Sequence, residues 1–246
     1  MEEGNTMADK VALVTGGSRG IGRAIAEELL DMDYSVVITA KDETRLKRAA
    51  AEMSKKGKVE YFACDLSSTK EIDELYSFIS DKKLSPKVLV NNAGMWAEGD
   101  TSTAKMEMYD RMMNTNTRGA FYLTQKLLPM LKKAKNPRII ITSSTHGLDA
   151  SSADGRADAT LYAMSKWSLR SWAKFLREEV RPFGIGVTVM YPGPVLTDEW
   201  EGHTYKEERF VRPSDIGKAV RLMLSLSGNA VVDEITINTV RKIDDK

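Results

Sequence analysis

Residues 10–22 read Lys10-Val-Ala-Leu-Val-Thr15 and then, without a break, Gly16-Gly17-Ser18-Arg19-Gly20-Ile21-Gly22. The first half is continuously apolar rather than alternating, the pattern of a strand covered on both faces. The glycines of the second half permit a tight turn and let backbone amides approach a ligand. Ile21 opens a helix, whose positive N-terminal end would face that turn and favour an anion there. Strand, glycine-rich turn and helix together describe the first unit of a dinucleotide-binding sheet, with a pyrophosphate on the helix N-terminus. The plain alternative is a tight βα turn that binds nothing.

The same rhythm continues along the chain. Strands are expected at Lys10–Thr15, Ser35–Thr39, Val59–Ala63, Lys87–Val90, Arg138–Thr142, Ile185–Met190 and Glu234–Ile237. Helices are expected at Ile21–Asp31, Thr44–Lys56, Thr69–Asp81, Ala104–Leu131, Leu161–Val180 and Ser214–Leu226. Regular βαβα alternation predicts an α/β fold: a doubly wound, seven-stranded parallel sheet of Rossmann type, with helices on both faces. There is no internal repeat and no low-complexity linker, so residues 10–246 are expected to form a single domain behind a frayed polar tail at 1–9, with Met7 as an alternative start. Two polar stretches, Asp149–Ala159 and Thr197–Arg212, interrupt the rhythm. Both follow strands at the carboxyl edge of the sheet, where open α/β folds bind ligands.

Composition excludes several classes. Thirty-six Lys and Arg against 35 Asp and Glu leave a formal charge of +1, which gives no basic surface for nucleic acid. Cys64 is the single cysteine, so no internal disulfide forms and a reducing, cytoplasmic setting is expected. No apolar run approaches the ~20 residues of a membrane span. The start, Met1–Lys10, lacks the apolar stretch of a secretion signal. His146 and His203 have no accompanying cysteine or carboxylate spacing, so no metal site is expected.

Two further patterns carry chemistry. In Tyr162-Ala-Met-Ser-Lys166, a phenol and an ammonium four residues apart share one helix face. At about 4 Å and an effective dielectric of ~20, the lysine charge favours the phenolate by about 4 kcal/mol. That moves a group titrating near ~10 toward neutrality, where it exchanges protons with a carbonyl or alcohol oxygen. An amphipathic helix with a buried tyrosine and a surface lysine is the bland alternative. At the end of the second strand, an NAD site would place an acidic residue on the ribose hydroxyls. Here that end reads Thr39-Ala40-Lys41, and Arg19 and Lys41 would flank a 2′-phosphate with charge-assisted bonds. NADP(H) is therefore the expected cofactor and NAD(H) a possible one, with Asp42 on the ribose as the competing arrangement.

From Lys10 to about Ile237 these ordered motifs resemble the short-chain dehydrogenase/reductase family. Gly16, Ser18, Arg19, Gly20, Ile21 and Gly22 resemble its cofactor loop, and Asp65-Leu66 its adenine-contacting segment. Asn92, Ala93 and Gly94 resemble the end of its fourth strand. Asn116, with Gly119 three residues on, falls where the family has its catalytic asparagine, and Asn114 is the competitor. Ser144 falls on the catalytic serine, with Ser143 as the alternative. Tyr162 and Lys166 complete the tetrad. Pro192, Gly193, Val195 and Thr197 resemble the turn beside the nicotinamide.

The resemblance implies hydride exchange between NADPH and a small carbonyl or alcohol, with Tyr162 as general acid or base and Ser144 stabilising the oxygen. It implies that Lys166 also binds the nicotinamide ribose, and that a local kink at Asn116 serves a proton relay. It further implies a homodimer or homotetramer built through the helix carrying Trp167 and Trp172. Seventeen residues separate Ser144 from Tyr162, a longer spacing than the family's usual one, which places an insertion near 149–158. Trp96, His146 and Trp200 are candidate substrate-pocket residues, with Tyr205 and Phe210 as further apolar wall. The chain also lacks the glycine-rich ending of relatives that reduce acyl-carrier-bound ketoacids, so it looks more like the branch acting on small 3-hydroxy acids or assorted carbonyls. A sugar or 3-hydroxy acid dehydrogenase and a non-catalytic dinucleotide sensor are the rival functions.

Overall fold

Alternate residues of each apolar run face opposite sides of one sheet. In β1 (Val11–Thr15), Val11 and Leu13 enter one core cluster while Ala12 and Val14 enter the other. Strand β5 (Arg138–Thr142) divides Ile139 and Ile141 from Ile140 in the same way. Because both faces are buried, apolar residues fill most positions of both sets, which is why the runs are nearly continuous. The computed structural model describes residues 10–149, 159–200, 202 and 204–241. The expected tail at 1–9, the middle of the 149–159 insertion and His203 lie outside the described residues.

The remaining strands are β2 (Ser35–Ala40), β3 (Val59–Ala63), β4 (Pro86–Asn91), β6 (Gly186–Pro192) and β7 (Glu234–Ile237). All pair in parallel, in the order β3-β2-β1-β4-β5-β6-β7. Strand order reverses between β1 and β4, and the carboxyl ends of those two strands form the crevice where such sheets take ligands. Helices α1 (Gly20–Leu30), α2 (Glu43–Met53) and α7 (Pro213–Ser225) cover one face with Ile25, Leu29, Leu46 and Ile216. On the other face lie α3 (Thr69–Asp81), α5 (Ala120–Leu131) and α6 (Thr160–Val180), with Ile72, Leu123, Leu127 and Leu169.

The sequence pattern differs from the structure at one long element. The expected helix Ala104–Leu131 resolves into α4 (Met106–Met113), a π-helical segment Asn114–Gly119, and α5. Hydrophobic periodicity continues through all three, so the change of winding is invisible to it. Elsewhere β3, β5, β7 and α3 have the expected bounds, and the other element ends differ by at most three residues, as fraying and capping allow.

Cys64, immediately after β3, is 2 % exposed. Burial, with the nearby Glu71 and Asp65 charges, pushes its thiol up to about 12. The thiol stays protonated and shielded at pH 8. A disulfide reagent should therefore leave the native protein unmodified and titrate one thiol once it is denatured; rapid native labelling would contradict this burial.

Candidate active site

The glycine-rich loop joins β1 to α1 across the crevice. Gly16 and Gly20 take positive φ angles of 68° and 53°. The amides of Gly16 and Gly17 both donate to the Thr39 carbonyl, at 2.7 and 3.2 Å, which fastens the loop to the end of β2. A Cβ on Gly22 would overlap the Gly16 carbonyl and lie 2.6 Å from Asn92 Nδ2, so only glycine lets α1 start this close to the strand. No acidic residue sits in the first turn of α1 and no side chain caps it, so its positive end is not neutralised. These features fit a pyrophosphate.

Asparagines at the end of β4 fix the opposite wall. Asn92 Nδ2 donates to the Thr15 carbonyl at 3.0 Å, and the amides of Asn92 and Ala93 both donate to Thr15 Oγ1 at 2.9 Å. Asn91 Nδ2 donates to Thr124 Oγ1 of α5. Gly94 then faces two functional candidates at once: a Cβ there would lie 3.3 Å from both Asn116 Oδ1 and Lys166 Nζ.

Asn116 sits in the π-helical segment, 1 % exposed. Its Oδ1 accepts from the Met95 amide at 2.8 Å, and its Nδ2 donates to the Met95 carbonyl and to Ser165 Oγ, both at 2.9 Å. Asn114, the competitor, instead lines a shallow apolar hollow on the outer surface. Lys166 is 4 % exposed and its Nζ donates to the Thr142 carbonyl at 3.1 Å. The same Nζ lies 5.5 Å from the centroid of the Tyr162 ring, so phenol and ammonium do share a face.

The two serines diverge. Ser143 Oγ donates to the Lys166 carbonyl at 2.9 Å and braces α6 against β5. Ser144 Oγ accepts from the His146 amide at 3.2 Å and lies 3.5 Å from His146 Nδ1. The His146 ring meets Tyr162 edge to face with centroids 5.8 Å apart. Ser144, His146 and Tyr162 thus line one corner.

Beside the ends of β2 and β3, the cations expected for a 2′-phosphate have anionic partners. Lys41 Nζ lies 2.6 Å from Asp65 Oδ2. Burial of Asp65 raises its pKa, but the Lys41 bond and two bonds from Ser67 outweigh that and hold the carboxyl below its ordinary value. Asp42 is spent on capping α2, where its Oδ1 accepts from the Arg45 amide at 2.9 Å, which weakens its claim to a ribose. Arg19 Nη1 reaches Asp198 Oδ2 at 3.3 Å. Arg45, which the sequence reading missed, reaches the same oxygen at 3.6 Å. Its position in the first turn of α2 was the available signal, since it lies beside the end of β2. Leu66 is buried beside Asp65, under Gly119.

The segment leaving β6 closes the crevice. The Gly193 amide donates to the Ile237 carbonyl at 2.8 Å, and Val195 bridges Val211. Thr197 comes close to the loop, its Cγ2 lying 3.2 Å from where a Cβ on Gly20 would stand. Trp200, Tyr205 and Phe210 meet edge to face, with centroids 4.9 to 6.4 Å apart. Trp96 follows β4 and is 37 % exposed. Trp172 is partly buried and packs on the core and against Phe121, with ring centroids 5.6 Å apart, whereas Trp167 stays 42 % exposed. Among the described residues, no cluster of three or more His, Cys, Asp or Glu side chains could hold a metal ion, and no helix is long and apolar enough to cross a membrane.

Comparison with known proteins places the chain among related oxidoreductases. The family profile described as short chain dehydrogenase matches residues 10–208. An uncharacterised oxidoreductase of Staphylococcus saprophyticus is 30% identical over 236 residues, covering 95% of this chain and 99% of its own length. An alcohol dehydrogenase from Thermococcus sibiricus, solved with 5-hydroxy-NADP, superimposes with a TM-score of 0.84 at 26% identity, covering 96% of this chain and 99% of its own. A metagenomic short-chain oxidoreductase solved with NADP gives a TM-score of 0.80 at 30% identity, with the same coverage.

Proposed function

The chain belongs to the short-chain dehydrogenase/reductase family, and on that premise we propose that it is an NADP(H)-dependent oxidoreductase of small carbonyl compounds and alcohols. The observation that carries the reading is the meeting of Asn116, Ser144, Tyr162 and Lys166 beside a glycine-lined crevice. NADP(H), when bound, supplies or accepts the hydride. The loop Gly16–Gly22, with Ser18 and Ile21, and the start of α1 hold its pyrophosphate. Asp65, Leu66, Lys41, Arg19 and Arg45 take the adenosine end. Asn92, Ala93, Gly94, Pro192, Gly193, Val195 and Thr197 frame the nicotinamide end.

Tyr162 gives its proton to the carbonyl oxygen or takes one from the alcohol. The buried Lys166 ammonium stabilises the phenolate that results, because opposite charges interact strongly away from water. The Ser144 hydroxyl accepts from the His146 amide and so keeps its own proton for the substrate oxygen, where charge develops. Asn116 clamps the Met95 backbone and Ser165, holding the wall against which Lys166 lies. Trp96, His146 and Trp200 border the substrate side.

A second copy of the chain is the proposed partner. Met113, Thr117, Phe121 and Trp172 line an apolar hollow of about 370 Å³, and Phe175, on the same helix as Trp172, is 70 % exposed. Buried in a dimer or tetramer, that face would no longer meet water. The cytoplasm is the proposed compartment, in keeping with one buried, protonated cysteine.

Turnover of NADPH with a panel of aldehydes, ketones and keto acids tests the activity; tight NADPH binding with no turnover on the panel would return the sensor reading. Cofactor choice has its own expected outcome. At a hundred times its Kd, NADPH should stabilise by about 2.7 kcal/mol, or roughly 5 °C or more in Tm. NADH at the same concentration should give a smaller shift, and an equal or larger one would contradict the roles of Arg19, Lys41 and Arg45.

A further inference from the structure

We infer that Asp198 sets how strongly this site discriminates NADPH from NADH, by competing with the 2′-phosphate for Arg19 and Arg45. The inference rests on the dinucleotide reading above and goes beyond it, because it concerns an anion rather than the cations. Three separate elements meet at one carboxylate oxygen: Arg19 of the glycine loop at 3.3 Å, Arg45 of α2 at 3.6 Å, and Asp198 from the segment leaving β6. Of the other anions nearby, one holds a different cation and one shares Arg45 from the flank of its own helix. Asp65 holds Lys41 and Ser67, and Asp42 caps α2 while lying 3.8 Å from Arg45 Nε. Asp198 follows Thr197, which stands against Gly20 of the glycine loop, and it lines with Gly20 and Arg212 a cavity of about 770 Å³ beside α1.

The two anions are not equal competitors. A phosphate monoester carries roughly −1.5 to −2 at neutral pH and offers three acceptor oxygens to a guanidinium pair. Asp198 carries one charge, and its side chain and both arginines are about half exposed, so each ion pair is weak and exchangeable. The arginines can therefore leave Asp198 for the phosphate, but the phosphate affinity observed is reduced by the pairs given up. NADH has a plain ribose hydroxyl at that point and gives the arginines no reason to leave. Asp198 thus weakens NADPH selectively.

Dissociation constants for NADPH and NADH, measured by fluorescence titration at low ionic strength on the wild type, Asp198→Asn, Arg45→Gln and the double variant, test this. Asp198→Asn should tighten NADPH by about three- to tenfold, the worth of two exposed ion pairs, and leave NADH unchanged. Arg45→Gln should weaken NADPH, and the gain from Asp198→Asn should shrink in its background. An unchanged or weaker NADPH affinity in Asp198→Asn, or an equal gain for both nucleotides, would overturn the inference while leaving the dinucleotide site standing. A wild type that binds neither nucleotide would overturn both. Because Asp198 is exposed, its variant should keep the wild-type Tm without ligand, so folding does not confuse the result.

Discussion

Replacing Tyr162 by Phe should lower kcat about a thousandfold while leaving NADPH affinity and Tm near their wild-type values. The magnitude is that of one positioned proton donor, on the order of 10²–10⁴. The substitution removes one oxygen and keeps the ring, so the edge-to-face contact with His146 and the approach of Lys166 Nζ to the ring both survive. Steady-state kinetics with an accepted carbonyl, beside a fluorescence titration of NADPH, separates the two effects. Loss of kcat with an intact Kd places the phenol in the chemical step. Turnover by the Tyr162→Phe variant near the wild-type rate would mean that another group delivers the proton, and the half-buried His146 beside Ser144 would become the next residue to replace.

How far this site could be read from the chain depends on the range of the interactions that build it. The strands were legible because a doubly covered sheet demands unbroken apolar runs, and β1 and β5 obey that on both faces. Tyr162 and Lys166 were legible because helical spacing alone puts them on one face. Ser143 and Ser144 needed the structure: adjacent residues at a strand end point opposite ways, and only the fold says that Ser143 reaches the Lys166 carbonyl. Arg45 and Asp198 escaped for a related reason. Their meeting spans most of the chain and is decided by where the segment after β6 crosses the loop, which no local pattern encodes. For Trp172 the resemblance supplied the interface expectation, and the fold adds that Phe121 of the neighbouring helix lies beside it on the same apolar hollow.

The π-helical segment was legible only as the kink that the resemblance implies at Asn116, and it touches both the proposed catalytic wall and the proposed cofactor segment Asp65–Leu66. Asn114–Gly119 inserts its extra winding between two regular helices, so hydrophobic periodicity passes through it unmarked. At its end, Gly119 lies against the Asp65–Leu66 segment so closely that a Cβ would overlap the Leu66 carbonyl oxygen, 2.8 Å from Leu66 Cβ and 3.0 Å from its carbonyl carbon. Glycine there is a packing requirement, since the obstacle is largely backbone and cannot rotate aside. Gly119→Ala should destabilise the fold by about 2–3 kcal/mol, the usual cost of overpacking a rigid contact, which lowers Tm by roughly 5–10 °C in a chain of this size. Relief of the overlap has two directions, each with a functional readout. Pushing the Leu66 segment away displaces Asp65 and Lys41 and should weaken NADPH binding. Pushing the π segment away loosens the Asn116 clamp on Met95 and should lower kcat. Thermal melts, NADPH titration and steady-state kinetics on the alanine variant measure the combination, and a variant with wild-type Tm, Kd and kcat would show that Gly119 has room the structure denies it.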